Sequence, residues 1–429
     1  AIVNMAQNYV GSNNINLFVP NGQFGTRLQG GKDSASERYI FTQLSNITRK
    51  LFPATDDKIL KYLNDDGVLV EPVFYAPIIP MVLVNGAKGI GTGFSTEVLS
   101  YNPRQLIHYL KSKLSDDVMM NAFEFVPYFD GFTGKVTQLG DGKYLVKGKY
   151  EVIGTDKIRI TELPVGLWTD DFKEYLEGLT DTTDKNGKKV TPIVKDYDDM
   201  SKDTTVDFTI TLCKGRLAEL ESVSLPNECN GLEKQFKLFT TVTTTNMHLF
   251  DAQDKLKKYS SVSEIIDDYY DTRLELYQTR KEYIIDALEK ELILLSNKAK
   301  YIKENLEGTI DLRRKTKQQV SEMLIGKHYD VIDNDTDFKY LTRMPMDSVT
   351  DENVAKIMRD HENKLVELDT VKAKSIQKMW QDELMELEQT YDEFLVQKDA
   401  MINGVGNGAI KIKKKIVKKK TAKLACTDA

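Results

Sequence analysis

From Asp251 to Arg343 the chain has no proline, and its apolar residues recur at threes and fours: Ile284, Leu288, Leu292, Leu295, Ala299, Ile302 and Leu306. That spacing lines one face of a long helix. A second stripe, Val354, Ile357, His361, Leu365, Leu368 and Val371, continues less regularly through Leu384, Leu387 and Tyr391. Each arm is about 45 residues, on the order of 65 Å if helical throughout. Two matched arms can fold back as an antiparallel coiled coil, with residues 307–350 forming a small cap at the far tip. An ordinary helical bundle satisfies the same periodicity.

The remainder of the 429 residues exceeds what one core organises, so a modular chain is expected. Hydrophobic residues at 41% and charged residues at 29% suit a folded protein and rule out general disorder. The net charge of -6 argues against a uniformly basic DNA-coating protein, but it permits a local basic surface. From Ala1 to Leu51 the basic residues are Arg27, Lys32, Arg38, Arg49 and Lys50, against the acids Asp33 and Glu37. Cys213, Cys229 and Cys426 lack CxxC spacing, which suggests neither a disulfide framework nor a zinc site. No apolar run approaches the ~20 residues of a membrane span. The opening AIVNMAQNYV has neither an initiator Met nor a signal-peptide layout, so Ala1 reads as interior to a longer protein.

Composition divides the chain into four parts. Residues 1–80 are rich in Gly, Asn and Pro and end in EPVFYAPIIP, as expected of a compact mixed domain. Residues 81–250 carry short apolar runs of strand length, such as MVLVNG, KYLVKG, KIRITELP and VDFTITL, which predict an α+β domain. Residues 251–400 hold the two arms. Residues 401–429 form a tail with the basic run Lys411–Lys420, read as solvated charge or as a nuclear-import or nucleic-acid-binding segment.

Within the first part, Ser34 and Glu37 have the spacing of a capping box after a Gly-Gly turn, which predicts a helix from about Ala35. Ile40, Leu44, Ile47 and Leu51 would form its buried stripe and Tyr39 would share a polar face with Gln43, Asn46 and Lys50. A phenol there, near the positive end of a helix and beside Arg38, Lys32 and Arg27, is placed to meet a phosphate. Phenols ionise near pH ~10, so attack on phosphorus needs a base or a stabilised phenolate, with cations beside the developing charge. A tyrosine on the amphipathic surface of a helix accounts for the same residues.

The longer sequence blocks decide between these readings. GSNNINLFVPNGQFGTRLQGGKDSASERYIFTQL resembles the segment around the active-site tyrosine of eukaryotic and viral type IIA DNA topoisomerases. EPVFYAPIIPMVLVNGAKGIGTGFST, ITELPVGLWT and KLFTTVTTTNMHLFD resemble later blocks of that family in the same order. The resemblance implies an α+β multidomain fold: part of a winged-helix domain, an α/β tower domain and a long antiparallel coiled coil ending in a small helical dimer gate. Tyr340–Met344 and the start of the second arm are candidates for that gate.

By position, Tyr39 is similar to the family's nucleophile and Arg38 to its transition-state arginine. Ile90, in GAKGIGTG, matches an isoleucine that wedges between base pairs, an act suited to an apolar side chain on a Gly-flanked loop. A buried strand residue is the alternative for Ile90. Arg27, Lys32, Lys237, Thr241 and Asn246 are expected to contact DNA. Glu37 stands where relatives carry Pro or Ala, Lys88 where Glu is usual, Phe74 and Phe94 where Trp is common, and Gly166 where Arg is usual. The resemblance further implies a homodimer acting on double-stranded DNA, with Mg²⁺ and ATP bound by domains absent from this chain. A nuclear location, or a viral factory for a viral source, follows in the same way. A non-catalytic DNA-bending protein with a coiled-coil dimerisation arm is the alternative function.

Overall fold

The computed structural model describes residues 1–115, 123–181, 192–345 and 349–402, and the basic run Lys411–Lys420 lies outside them. The described strands are β1 (Tyr62–Asp65), β2 (Val68–Pro72), β3 (Ala87–Gly91), β4 (Phe94–Val98), β5 (Lys135–Gly140), β6 (Lys143–Lys147) and β7 (Lys149–Gly154). They continue with β8 (Lys157–Glu162), β9 (Val194–Asp199), β10 (Phe208–Leu212), β11 (Phe239–Thr243), β12 (Met247–Phe250) and β13 (Leu256–Tyr259). All pair antiparallel. One sheet has the order β11-β6-β5 and another β7-β8-β10-β9, while β1–β2, β3–β4 and β12–β13 are hairpins. The run MVLVNG, expected as a strand, is instead the short helix Met81–Asn85, which Pro80 opens and which buries Leu83 and Val84 in the core.

Alternation explains the four-stranded sheet. Ile158 and Ile160 on β8 and Phe208, Ile210 and Leu212 on β10 point to one buried face, and the helix Thr169–Thr180 covers it with Phe172 and Leu176. Phe172 meets Phe208 edge to face at 5.1 Å. A separate and larger core runs through Ile15, Leu51, Ile78, Leu83, Leu106, Ile266, Trp380 and Leu384. It crosses the boundary expected near residue 80 without a break, so the first part and the feet of both arms share one interior. The helix Pro103–Leu114, opened by the Asn102 side chain accepting from Arg104 N and by proline at its first position, is part of that interior.

The first arm is the unbroken 45-residue helix Val262–Leu306, capped by Ser261. The second arm, expected to be continuous, is two helices, Asp351–Ala373 and Ile376–Ile402, separated where Lys374 turns extended at ψ 125. Only the first of the two follows the coil. Lys364 pairs with Glu291 at 3.1 Å and Lys372 with Glu289 at 2.7 Å, so the strands of the coil run antiparallel. Leu288, Leu292 and Leu368 are buried between them. The second helix turns its stripe of Trp380, Leu384, Leu387 and Tyr391 into the body instead, which is why its periodicity departs from that of the coil. At the tip, Tyr301, Ile310, Leu324, Phe338 and Leu341 form a small separate core. Of the suggested gate residues, Leu341 is buried in it, and the Tyr340 hydroxyl donates to Asp330 O at 2.7 Å.

Where the arms join the body, two arginines one heptad apart lie on the buried face. Arg273 donates to Asp56 Oδ2 at 2.7 Å and to Ala76 O at 2.9 Å. Arg280 donates to Asp56 Oδ1 at 2.6 Å and to Glu383 Oε1 at 2.5 Å. Both guanidiniums lie against Tyr277, 4.3 and 4.5 Å from its ring centroid. The Tyr277 hydroxyl donates to Glu383 at 2.5 Å, and burial pushes its ionisation well above the ordinary range. Trp380 stacks on Tyr270 and Tyr277 and donates from Nε1 to Ile78 O at 3.0 Å.

Asp56→Ala leaves two buried guanidiniums short of a carboxylate and is expected to destabilise by about 3–5 kcal/mol, read as a lowered denaturant midpoint. Glu388, hydrogen-bonded by Lys111 and facing His108 at 2.9 Å, ties the second helix of the second arm to the helix Pro103–Leu114. The Lys111 bond holds its carboxyl below the ordinary value of 4.5. Because folding favours the ionised form, this stabilisation is complete above that value and is lost as pH falls through the lower folded-state value. Glu388→Gln is therefore expected to lower the unfolding midpoint at neutral pH by under about 1 kcal/mol in free-energy terms, with the gap to the parent closing in acid.

Candidate functional site

Tyr39 does not stand on the predicted helix. Residues Glu37–Tyr39 make a single 3₁₀ turn, Ile40 is extended at φ -121 and ψ 151, and α-helix is confined to Thr48–Leu51. The expected capping box is absent, since Ser36 holds the N-cap position with no side-chain bond. Tertiary pairing explains the difference. Phe41 N donates to Asn21 O, Val19 N to Gln43 O and Ser45 N to Leu17 O, so residues 40–45 run extended against residues 17–21. Ile40, Phe41 and Thr42 favour such a strand-like path. Ile47 and Leu51 are buried as expected, whereas Leu44 is half exposed. A three-residue turn has no useful macrodipole, so attraction of an anion rests on side chains alone.

Tyr39 is 69% exposed, and the Arg38 guanidinium carbon lies 5.2 Å from its ring centroid. A phenol and a permanent cation are thus presented together to solvent. Glu37 is exposed on the same turn and takes no part in a cap.

The loop that leads into this turn is closed on itself. Gly31 N donates to Thr26 O, and Ala35 N to Gln23 O, both at 2.9 Å. Asp33 accepts from Thr26 N at 2.8 Å, Thr26 Oγ1 at 2.6 Å and Gln23 Nε2 at 3.1 Å. Gly25, at φ +101, lies so close to the backbone of Gly31 that a Cβ would not fit. Burial, reinforced by the charge of Asp33, raises the ionisation of the neighbouring Tyr9 phenol. Lys32 is exposed at the rim of a polar hollow of about 450 Å³ that Gln7, Tyr9 and Gly31 also line.

Arg27, expected to touch DNA, is buried and paired with buried Glu162, and it also donates to Leu163 O at 3.2 Å. In this conformation its charge is spent inside the protein. Sequence reasoning passed over Glu162, although a signal was present: on β8 it falls in phase with Ile158 and Ile160, so strand alternation places a carboxylate on the buried face, where it needs a cation.

Ile90 is 93% exposed near the tip of the β3–β4 hairpin, opposite Ser95. It is therefore no buried strand residue, and the Gly91-Thr92-Gly93 turn beside it presents it to solvent. The hairpin is held from below. Phe94 packs edge to face on Phe250 at 6.2 Å and tilts against His248 at 6.5 Å. Asn246 Nδ2 donates to Ser95 Oγ at 3.0 Å, and Asn246 Oδ1 lies 3.0 Å from His248 Nδ1. Asn246 is thus a support for the hairpin that carries Ile90. Lys88 pairs with Glu97 across the strands at 2.8 Å.

Thr241 is exposed on β11, the strand that leads to Asn246. Lys237 precedes that strand, with its ammonium 3.8 Å from the Tyr175 ring centroid. Gly166, where the resembled family usually carries Arg, adopts φ +92 with open space about it. Tyr39 with Arg38, and Ile90 with Asn246, form two groups on separate elements.

A family model, that of the A-type subunits of DNA gyrase/topoisomerase IV, matches residues 1–385. The chain is 38% identical over 457 residues to DNA topoisomerase 2-beta of Homo sapiens, covering 99% of this chain and 27% of that protein. It is 36% identical over 430 residues to DNA topoisomerase 2 top-2 of Caenorhabditis elegans, covering 89% of this chain and 27% of that protein. The chain thus spans about a quarter of the length of these relatives. Its structure is similar to the crystal structure of the Plasmodium falciparum topoisomerase II DNA-binding, cleavage and re-ligation domain. The TM-score is 0.83 and the identity 37%, covering 94% of this chain and 56% of that one.

Proposed function

Because the chain belongs to the DNA gyrase/topoisomerase IV family of A-type subunits, we propose that it forms part of the breakage-reunion core of a type IIA DNA topoisomerase, with Tyr39 as the nucleophile. The observation that carries this reading is the pairing of an exposed phenol with Arg38 at the end of a closed loop. The Tyr39 oxygen attacks a backbone phosphorus and the bond from phosphorus to the 3′ oxygen breaks, leaving a 5′-phosphotyrosine and a free 3′ hydroxyl. A phosphodiester is exchanged for a phosphodiester, so resealing by the reverse attack needs no external energy. Arg38 stabilises the charge that develops on the phosphorane oxygens.

Two copies are proposed to cut staggered positions of one duplex while a second duplex passes through. Ile90, projecting from its hairpin, is proposed to enter a base step and bend the cleaved duplex, an act that exposed apolar wedges perform by partial unstacking. Lys32, Lys237 and Thr241 are exposed enough to meet the DNA backbone. Arg27 is not, and Asn246 acts through the hairpin. Residues 1–80 correspond in this reading to part of a winged-helix domain, residues 81–250 to a tower, and the arms with their cap to a coiled coil and dimer gate. ATP and Mg²⁺ belong to the longer enzyme. Among the described residues no cluster of three or more His, Cys, Asp or Glu could hold a metal ion. The proposed place of action is the nucleus, or a viral factory in the host cytoplasm where the source is a large DNA virus.

Denaturant trapping after incubation of the intact protein with DNA tests the nucleophile. Tyr39→Phe is expected to abolish the covalent adduct while binding is retained, and an adduct that survives the substitution sinks the assignment. Ile90→Ala is expected to reduce DNA bending measured by energy transfer, with little change in affinity; unchanged bending rejects the wedge.

A further inference from the structure

Glu162 lies where three substructures meet. Its Oε1 accepts from Arg27 Nη2 and from Leu163 N, and its Oε2 accepts from Thr133 N at 3.0 Å and Thr133 Oγ1 at 2.8 Å. Both carboxylate oxygens are thus engaged by two donors each, and the group is buried. Arg27 comes from the closed loop before Tyr39, Thr133 from the approach to β5, and Glu162 itself from the end of β8.

Further contacts join the same loop to the same block. Asp170 N donates to Leu28 O at 3.0 Å. The Trp168 indole packs so tightly on Gly30 that a Cβ there would collide with it, and its ring meets Tyr9 edge to face at 5.7 Å. Gly30 is at φ +62, so both its backbone and its missing side chain suit this contact. Residues 162–170 therefore grip the loop by an ion pair, a backbone bond and an aromatic face.

The grip bears on Tyr39 because little slack separates them. After Ala35, tied to Gln23, only Ser36 precedes the 3₁₀ turn, and Tyr39 N donates to Ser36 O at 2.9 Å. Two residues beyond Tyr39, Phe41 N is tied to Asn21 O at 3.2 Å. The turn is suspended between these ties, and the loop on one side of it is fixed in space by Arg27.

We propose that Glu162 is a positioning residue for the Tyr39 turn: through buried Arg27 it fixes the closed loop that presents Arg38 and Tyr39 and couples it to the sheet carrying β8. The proposal rests on the reading of Tyr39 as the nucleophile. The coupling extends further, since Thr133 leads into β5, whose sheet includes β11, and β11 leads to Asn246 beneath the Ile90 hairpin.

Arg27→Met/Glu162→Gln in the intact protein removes both charges, so neither is left buried without its partner. Three measurements follow: affinity for duplex DNA by anisotropy, covalent adduct at saturating DNA by denaturant trapping, and Trp168 emission, taken for each protein as the difference from its Trp168→Phe counterpart. The double variant is expected to bind DNA within about twofold of the parent, while its adduct falls at least about tenfold, the scale of loss when a reacting group is misplaced. Its Trp168 emission is expected to shift to the red as the loop loosens. Parental adduct levels overturn the proposal, as does a loss of adduct that tracks lost affinity or lost cooperative folding. If the parent forms no Tyr39-dependent adduct, the nucleophile reading fails by itself; the emission then still decides whether Glu162 fixes the loop, and an unshifted spectrum rejects that.

Discussion

The buried network of Asp56, Arg273, Arg280 and Glu383 is the constraint on which the rest of the architecture depends. It joins a carboxylate from the first sixty residues, two arginines from the first arm and a carboxylate from the second arm, with two positive and two negative charges. An arrangement of this kind is costly to bury, because desolvation takes back much of the Coulombic gain, so its net stabilisation is modest. Its geometric consequence is larger. Only one register of the first arm brings Arg273 and Arg280 to both oxygens of Asp56, and only one seating of the second arm brings Glu383 to Arg280 and Tyr277. Apolar packing around Trp380 tolerates small slips; unpaired guanidiniums in the interior do not.

That junction fixes the direction in which a very long lever leaves the body. A 45-residue helix reaches on the order of 68 Å at 1.5 Å per residue, so a small rotation at Arg273 becomes a large displacement at the cap. The break at Lys374 and Ser375 suits this arrangement. It frees the helix Ile376–Ile402 from the path of the coil and lets it lie along the body, where Arg104 reaches Asp392 at 2.5 Å, Lys111 reaches Glu388 and Lys398 reaches Asp130 at 2.5 Å. A continuous second arm would have left the foot of the first with a single partner face.

Much of this was legible in the sequence, and the exceptions have physical causes. The first arm followed from a pattern that repeats over many turns, so that no single tertiary contact could overrule it, whereas the same periodicity left the antiparallel pairing open against an ordinary bundle. The strands β8 and β10 followed from short apolar runs of strand length. The helix predicted from Ala35 failed because its apolar spacing also suits an extended segment, and backbone partners at Leu17, Val19 and Asn21, well upstream in the chain, took its hydrogen bonds. Arg27 was misread for a related reason. A basic residue on a glycine-rich loop looks like surface, and its partner lies 135 residues away. Arg273 and Glu162 were both visible as charged residues in phase with buried apolar neighbours, a pattern that calls for an opposite charge without saying where it comes from.

The exposure of Ile90 is a different kind of violation. An isoleucine left in water forgoes about 1.5–3 kcal/mol of burial free energy, and the hairpin beneath it is braced by Phe94, Phe250 and Asn246. A fold that only maximised its own stability would place that side chain inward or replace it with a polar one. Bending a duplex site costs on the order of 1–6 kcal/mol, and in the wedge role proposed for Ile90 a rigid apolar side chain that has already forgone its own burial would offset part of that cost on entering a base step. The bracing matters as much as the exposure, since a hairpin free to swing would yield before the duplex did. The closed loop before Tyr39 follows the same logic, its phenol exposed and its support buried. At both sites the group proposed to react or to intrude is left in solvent while residues that hold it are placed in the interior.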